Sequence, residues 1–349
     1  MSVLVSNDQE VLCSLKKERN RLRELEIVNE TANHILHDDP DPVVRFRLLR
    51  DVKKALPDTN TLIHARQEMS KSQWILELIN EQMEDGSWRR FHSAMKTKGK
   101  IVTTEAAVER GLALGLEASD PTFCTTINYL SRLLEGAVDF PDPAERNDRW
   151  ATGKQLFAAA TLARICPTLP ILAKTWKLWC TIAERTFASG KYDEEAEVRA
   201  HEALTGASVK DSYLVLNNRY QLALLGSHAE KLPKAVESAL FDWVWHKSDG
   251  VGYLEIPLAN RPRRFTAGML DRLFTSLEIL SCFPSWREQG KSMVDWLWEQ
   301  RNSEGLWDFG PRASMAVYFP LSESWRRKQQ RQHDWTTRVL ILLREYHDF

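Results

Sequence analysis

Two stretches of this chain punctuate in the same way: "EQMEDGSW" at residues 81–88 and "EQRNSEGLW" at residues 299–307. Each leaves a helix-like segment, passes through a polar turn to Gly, and places Trp two residues later. Gly supplies the left-handed conformation that ends a helix. A Trp just beyond it can fold back over helix-end carbonyls that lack partners, so Trp88 and Trp307 read as structural. The two turns end 219 residues apart, a gap that holds four units of roughly 55 residues. A second self-match supports the repeat: "FDWVWHKSDGVGY" (241–253) lies over "VDWLWEQRNSEGLW" (294–307), pairing Asp242 with Asp295, Trp243 with Trp296 and Trp245 with Trp298. Units of this length hold two helices and bury a core only against their neighbours.

The remaining sequence is helical in pattern. β-branched alternation and hairpin turns are nearly absent. Apolar positions at Val11, Leu15, Leu22, Leu25 and Val28 predict an amphipathic helix over 8–36, and "DDPDP" breaks it before a second helix that opens on Pro42. From residue 70 the expected helices are 72–83, 103–117, 121–135, 148–166, 171–188, 194–204, 212–226, 232–246, 265–282, 285–300 and 333–346. Residues 1–69 are expected to form an N-terminal helical extension, and 70–349 the repeat body. The stretch "DDPDPVVRFRLLRDVKKAL" resembles a single HEAT repeat but does not recur.

What recurs is an aromatic or aliphatic residue four before Gln, then Gly-x-Trp: Leu78, Gln82, Gly86, Trp88, and again Trp296, Gln300, Gly305, Trp307. Phe241 to Tyr253 is a degenerate third copy, with Lys247 in place of Gln and Gly252-Tyr253 at its end. This resembles the QW motif of the terpene cyclase and protein prenyltransferase superfamily, over roughly residues 70–346. The resemblance implies an all-α fold, an (α/α) toroid of helical hairpins: an inner ring of helices around an apolar cavity and an outer ring around those. In that family the motif is structural, so any reaction has to be read from the site itself.

Composition narrows the function classes. Lys plus Arg is 47 and Asp plus Glu is 48, and a neutral balance argues against non-specific nucleic-acid binding. No run of 18 apolar residues marks a membrane span, and "MSVLVSNDQE" lacks the pattern of a secretory signal. The five Cys are scattered without CxxC spacing, as expected of reduced thiols in a cytoplasmic protein. Trp is abundant at 13 residues, which means large aromatic surfaces inside the chain or lining a cavity.

The toroid implied by the resemblance brings inner-helix N-termini, near 103, 148, 212, 265 and 333, to one cavity mouth. Basic residues precede each: Lys96, Lys98 and Lys100; Arg146 and Arg149; Lys210; Arg261, Arg263 and Arg264; Arg326, Arg327, Lys328 and Arg331. With the positive helix ends they suit a hydrophobic small molecule carrying a carboxylate or diphosphate head, although nearby Glu304, Asp308 and Glu323 also fit an ordinary charged surface. Inside the mouth, Glu105, His333 and Asp334 are the catalytic candidates; Asp334 equally fits an N-cap. Candidate substrate-binding residues are Thr104, Arg149, Trp150, Tyr213, Asn217, Tyr220, Phe265, Met269, Trp335 and Arg338. Aromatic faces there can hold cationic intermediates or simply be core.

The acid motif of class II terpene cyclases, DxDD, is absent, as is the DDxxD metal motif of class I enzymes, and no Asp/Cys/His zinc set of the prenyltransferase kind is recognisable. "HEALT" (201–205) has Thr205 where a zinc site needs a second His. Glu197 and His201, four apart, are expected to form a solvated ion pair. No cofactor and no metal is therefore expected. The leading expectation is an enzyme that folds a terpenoid substrate and cyclises or rearranges it, by a weak acid or by shape alone as in an intramolecular cycloaddition. A non-catalytic isoprenoid or lipid binder and an interaction scaffold are the alternatives. Helix 8–36 is left three roles: to cap the ring, to plug it, or to pair with a second chain as a homodimer.

Overall fold

The computed structural model describes residues 2–93, 100–101, 103–144, 150–207, 214–311 and 320–348, with side chains at Leu15 and from Glu18 onward. Among the described residues the chain is all-helical, with three isolated β-bridges and no strand. The helices are α1 (Ser2–His37), α2 (Pro42–Arg47), α3 (Asn60–Met69), α4 (Gln73–Glu81), α5 (Thr104–Leu114), α6 (Pro121–Glu135), α7 (Trp150–Ile165), α8 (Leu172–Thr186) and α9 (Glu194–Thr205). They continue as α10 (Arg219–Gly226), α11 (Lys234–His246), α12 (Ala267–Leu280), α13 (Trp286–Gln289), α14 (Lys291–Glu299) and α15 (Lys328–Asp348).

α4 packs on α5, and α5, α7, α10 and α12 then pack in succession, each on the next. α15 joins α12 through Arg338, which donates to Asp271 at 3.0 Å and to Glu278 at 2.6 Å. α6 and α8 lie against α7, while α9 and α11 lie against α8. One continuous apolar core runs from Val28 in α1 to Leu343 in α15. The N-terminal segment is part of this body: α1 packs along α15, and Arg21 donates to the His347 carbonyl at 2.6 Å.

The two Gly-x-Trp turns are built alike. Trp88 donates its indole N–H to the Leu78 carbonyl at 3.0 Å, and Trp307 donates to Leu297 at 2.6 Å. The backbone N–H of each Trp donates to a threonine hydroxyl of a following helix, Thr104 and Thr336, both at 2.9 Å. Gly86 and Gly305 sit at φ +92° and +78°, the left-handed cap that the sequence calls for. Gln82 bonds the Gly86 carbonyl at 3.2 Å, but in the second copy Arg301 does this at 2.7 Å, one residue beyond the expected Gln300. Strict spacing from Leu78 and Leu297 puts Gln82 and Arg301 at equivalent positions. Both side chains carry N–H donors, which is what the glycine carbonyl needs.

Two expected helices differ, and one observed helix was not expected. Of the segment expected over 212–226, the described residues 214–226 are helical only from Arg219, because the Asn218 side chain accepts the Tyr220 N–H at 3.2 Å and caps the helix. Asn217 and Asn218 therefore start the helix rather than interrupt it. The helix that opens at Pro42 gives way to a π-helical turn at Leu48–Val52, where Arg50 reaches the Gly115 carbonyl at the end of α5. α3 matches no expected span.

Candidate active site

Glu105 lies in the first turn of α5, whose N-cap is Thr103, accepting the Ala106 N–H at 3.1 Å. The Asn218 cap fixes Tyr220 in the first turn of α10. His92 comes from the loop after the first Gly-x-Trp turn. That loop is pinned by Asp142, whose carboxylate accepts the N–H groups of Phe91, His92 and Ser93 at 2.7, 2.9 and 2.5 Å. A buried charge is thus matched by oriented backbone donors, and His92 is held at a defined position.

These three side chains meet. The Tyr220 hydroxyl donates to Glu105 at 2.7 Å (Oε1) and 2.9 Å (Oε2). His92 Nδ1 lies 2.9 Å from Glu105 Oε2 and 2.9 Å from the Tyr220 oxygen. Since the phenol proton goes to the carboxylate, Nδ1 carries the hydrogen of its own contact, and Nε2 becomes the imidazole's proton-exchanging nitrogen. Burial pushes the Glu105 carboxyl up, but the His92 hydrogen bond, the Arg219 and His92 charges and the Tyr220 hydroxyl outweigh it and hold it below its usual value. Burial, then the Glu105 charge, pushes the Tyr220 phenol well above its ordinary value. The resting cluster is a carboxylate with a protonated phenol.

Aromatic rings enclose it. Phe157 stacks on His92 at 4.7 Å and tilts against Tyr220 at 4.6 Å. Tyr253 presents an edge contact to both, at 6.2 and 5.8 Å, and Trp150 meets Phe157 at 6.5 Å. Behind Glu105, Glu109 joins Arg164 at 3.0 Å and Arg219. A cavity of about 10 Å³ there has room for a single water. On the other side a groove of about 450 Å³ is lined by Tyr192, Trp243, Asn217, Asn218 and Tyr253, with Tyr192 and Trp243 stacked at 3.9 Å. Tyr253 belongs to both the groove and the ring cage. It sits at φ +67°, a left-handed backbone that a bulky residue seldom adopts.

Of the residues expected from sequence, Glu105, Tyr220 and Trp150 come together here, and Asn217 lines the groove while donating to the Gly250 carbonyl at 2.9 Å. The others lie elsewhere. Asp334 accepts N–H groups from Leu321 and Ser322 and the Ser322 hydroxyl at 2.6 Å. His333 is buried, 3.7 Å from Asp38; burial holds its imidazole below the ordinary value, against the pull of Asp38. Thr104 serves Trp88. Trp335 donates to the Gly310 carbonyl and packs with Phe274 and Phe309. Phe265 packs on Trp296 and Phe309, Met269 is exposed, and Arg338 bridges α12 and α15. Arg149 and Tyr213 lie outside the described residues, as do Lys96, Lys98, Arg146 and Lys210 of the basic set.

Described basic residues such as Lys100, Arg261 and Arg331 are ion-paired to Glu77, Glu299 and Asp308. Glu197 and His201 are buried, not solvated: Glu197 accepts the Tyr192 hydroxyl at 2.8 Å and the Leu216 N–H at 3.1 Å. Sequence reasoning passed over His92, Phe157 and the second role of Tyr253. The available signal was the position of His92, four residues after Trp88 in the loop that leads into the helix carrying Glu105. No protein-family model matches this chain, and neither a curated protein nor a solved structure matches it.

Proposed function

We propose that this chain is a single-toroid enzyme of terpene-cyclase type that moves a proton on a hydrophobic, terpenoid substrate during a cyclisation or rearrangement. One observation carries the reading: a buried carboxylate, an imidazole and a phenol converge within 2.9 Å inside a cage of aromatic rings. The toroid is supported by the succession of α5, α7, α10 and α12, and by a cavity that residues of α5, α7, α12 and α15 line together.

The substrate lies along the groove and reaches the cluster past Tyr253. Glu105 stabilises the imidazolium form of His92, whose Nε2 proton goes to an alkene or carbonyl of the substrate. Positive charge then develops on the substrate against the faces of Phe157 and Tyr253, which attract it by about 0.5–2 kcal/mol each. Loss of a proton from the cyclised cation to the neutral imidazole restores the resting state, so no net proton is consumed. General acid–base catalysis of this kind accounts for roughly 10²–10⁴ in rate.

The test is product formation from a panel of terpenoid acids, alcohols and diphosphates. Glu105→Gln and His92→Ala are expected to lower turnover by about 10²-fold or more. Product formed at full rate by both variants overturns acid assistance in favour of catalysis by shape. Binding without product from any panel member overturns the enzymatic reading in favour of an isoprenoid binder.

A further inference from the structure

A second cavity, of about 330 Å³, lies at the other ends of the same helices. Leu112 and Ala113 of α5, Arg164 of α7, Glu278 of α12 and Ile341, Leu342 and Glu345 of α15 line it, with Ser281 and Cys282 just past α12. Its volume is that of a small-molecule site. Leu112, Ala113, Arg164, Glu278, Ser281, Cys282 and Glu345 come from last helical turns or just beyond, where the carbonyl ends favour positive charge, while Ile341 and Leu342 lie a turn or more inside α15.

The four guanidiniums around the cavity are already engaged. Arg47 pairs with Asp51 and donates to the Leu112 carbonyl at 2.9 Å. Arg110 donates to the Pro320 carbonyl at 2.8 Å and lies over the Trp74 ring. Arg164 pairs with Glu109 at 3.0 Å, and Arg338 with Glu278 and Asp271. Glu345 differs. Its nearest polar contact is the Ser281 hydroxyl at 3.4 Å, and among the described residues no ammonium or guanidinium nitrogen lies within ion-pair distance of it. A part-buried carboxylate without a counter-ion favours a cation beside it, and the space there is open.

We propose that this cavity is a binding site for a small aliphatic amine, whose ammonium group takes the place of the missing counter-ion at Glu345, with Glu278 as its second carboxylate and its methylenes against Leu112, Ile341 and Leu342. The charges that face Glu345 are Glu278 on α12, Arg47 on α2, Asp51 on the π-helical turn and Lys54 just beyond it; Arg164 on α7 acts on the adjacent Cys282. Burial and then Glu278 push the Glu345 carboxyl up to about 7. Amine binding therefore strengthens as pH rises through neutrality, because only the ionised carboxylate receives the ammonium.

Titration calorimetry of the whole protein with 1,4-diaminobutane tests this. Binding is expected near pH 8 and about tenfold weaker for each unit below about pH 7. Glu345→Gln is expected to weaken it at least about tenfold, while Glu230→Gln, at an exposed position in a short 3₁₀ turn at Ala229–Lys231, leaves it unchanged. Bound diamine is also expected to slow alkylation of Cys282, followed on its own peptide by mass spectrometry. No binding near pH 8, equal binding by Glu345→Gln, or binding of inorganic pyrophosphate instead of the diamine each overturns the proposal. The last would make the guanidiniums the readers of an anion.

Discussion

Trp88 and Trp307 occupy equivalent stations 219 positions apart: each gives its indole N–H to the carbonyl ten residues before it and its backbone N–H to a threonine of a later helix. Both are fully buried. Replacing either by Ala is expected to cost about 3–5 kcal/mol, the usual range for a buried aromatic. Thr104→Val or Thr336→Val leaves a buried N–H without its acceptor and is expected to cost about 1–3 kcal/mol. Urea unfolding of the four variants checks both the size and the pairing of these effects.

The two turn glycines are not equally replaceable. A methyl at Gly86 would meet the Thr125 carbonyl oxygen at 2.4 Å, whereas at Gly305 it meets the side-chain end of Arg301 at 2.8 Å. Both keep the left-handed strain, roughly 1–2 kcal/mol for an L-residue. Gly86→Ala is therefore expected to destabilise clearly more than Gly305→Ala, because backbone cannot step aside. Thermal melts that rank them the other way contradict this reading of the first turn.

Asp334 and Glu105 are both buried carboxylates, but their partners differ in kind. Asp334 holds backbone N–H groups of residues 321 and 322, so Asp334→Asn is expected to lower stability by about 1.5–3 kcal/mol. Turnover measured well below its unfolding temperature is expected to stay within a few-fold of the parent. A loss like that expected of Glu105→Gln would return Asp334 to the catalytic set.

Glu345 gives stability a pH dependence of unusual sign. Its carboxyl, raised to about 7 in the folded chain, stays protonated where the unfolded chain has already ionised. The folded state then binds the extra proton, so this contribution is complete below about pH 4.5 and is lost as pH rises through 7. Because Glu345 retains some solvent contact, the loss is discounted to about 2 kcal/mol. Glu345→Gln is expected to remove the decline, and denaturant midpoints measured from about pH 5 to 8 check it.

The helical class was legible because amphipathic periodicity and Gly-x-Trp punctuation are local, and most expected spans match within a few residues. α10 was overdrawn because a capping Asn and an interior Asn look alike until the side chain is seen to bond the next turn. The site was half legible. Glu105 and Tyr220 stand in first helical turns, where a repeat pattern places them, but their meeting spans 115 residues. His92 sits in a loop whose shape is set by Asp142, some fifty residues away, and no periodicity points to such a residue. Asp334 looked like an acid at a helix start, but α15 already begins at Lys328, so Asp334 lies in its second turn, is no N-cap, and takes its donors from the backbone at 321 and 322.

The pairing of α1 with α15 also orders events in time. Arg21 finds its acceptor, His347, 326 residues later, and Glu24 meets the same residue's imidazole. A chain made from its amino end carries α1 without α15 while every intervening helix is synthesised. The intervening helices can pack as they appear, since their neighbours are close in sequence. The contact between first and last helices has the largest sequence separation to close, and a ribosome that stalls before residue 328 leaves Arg21 and Glu24 of α1 without the His347 that they meet.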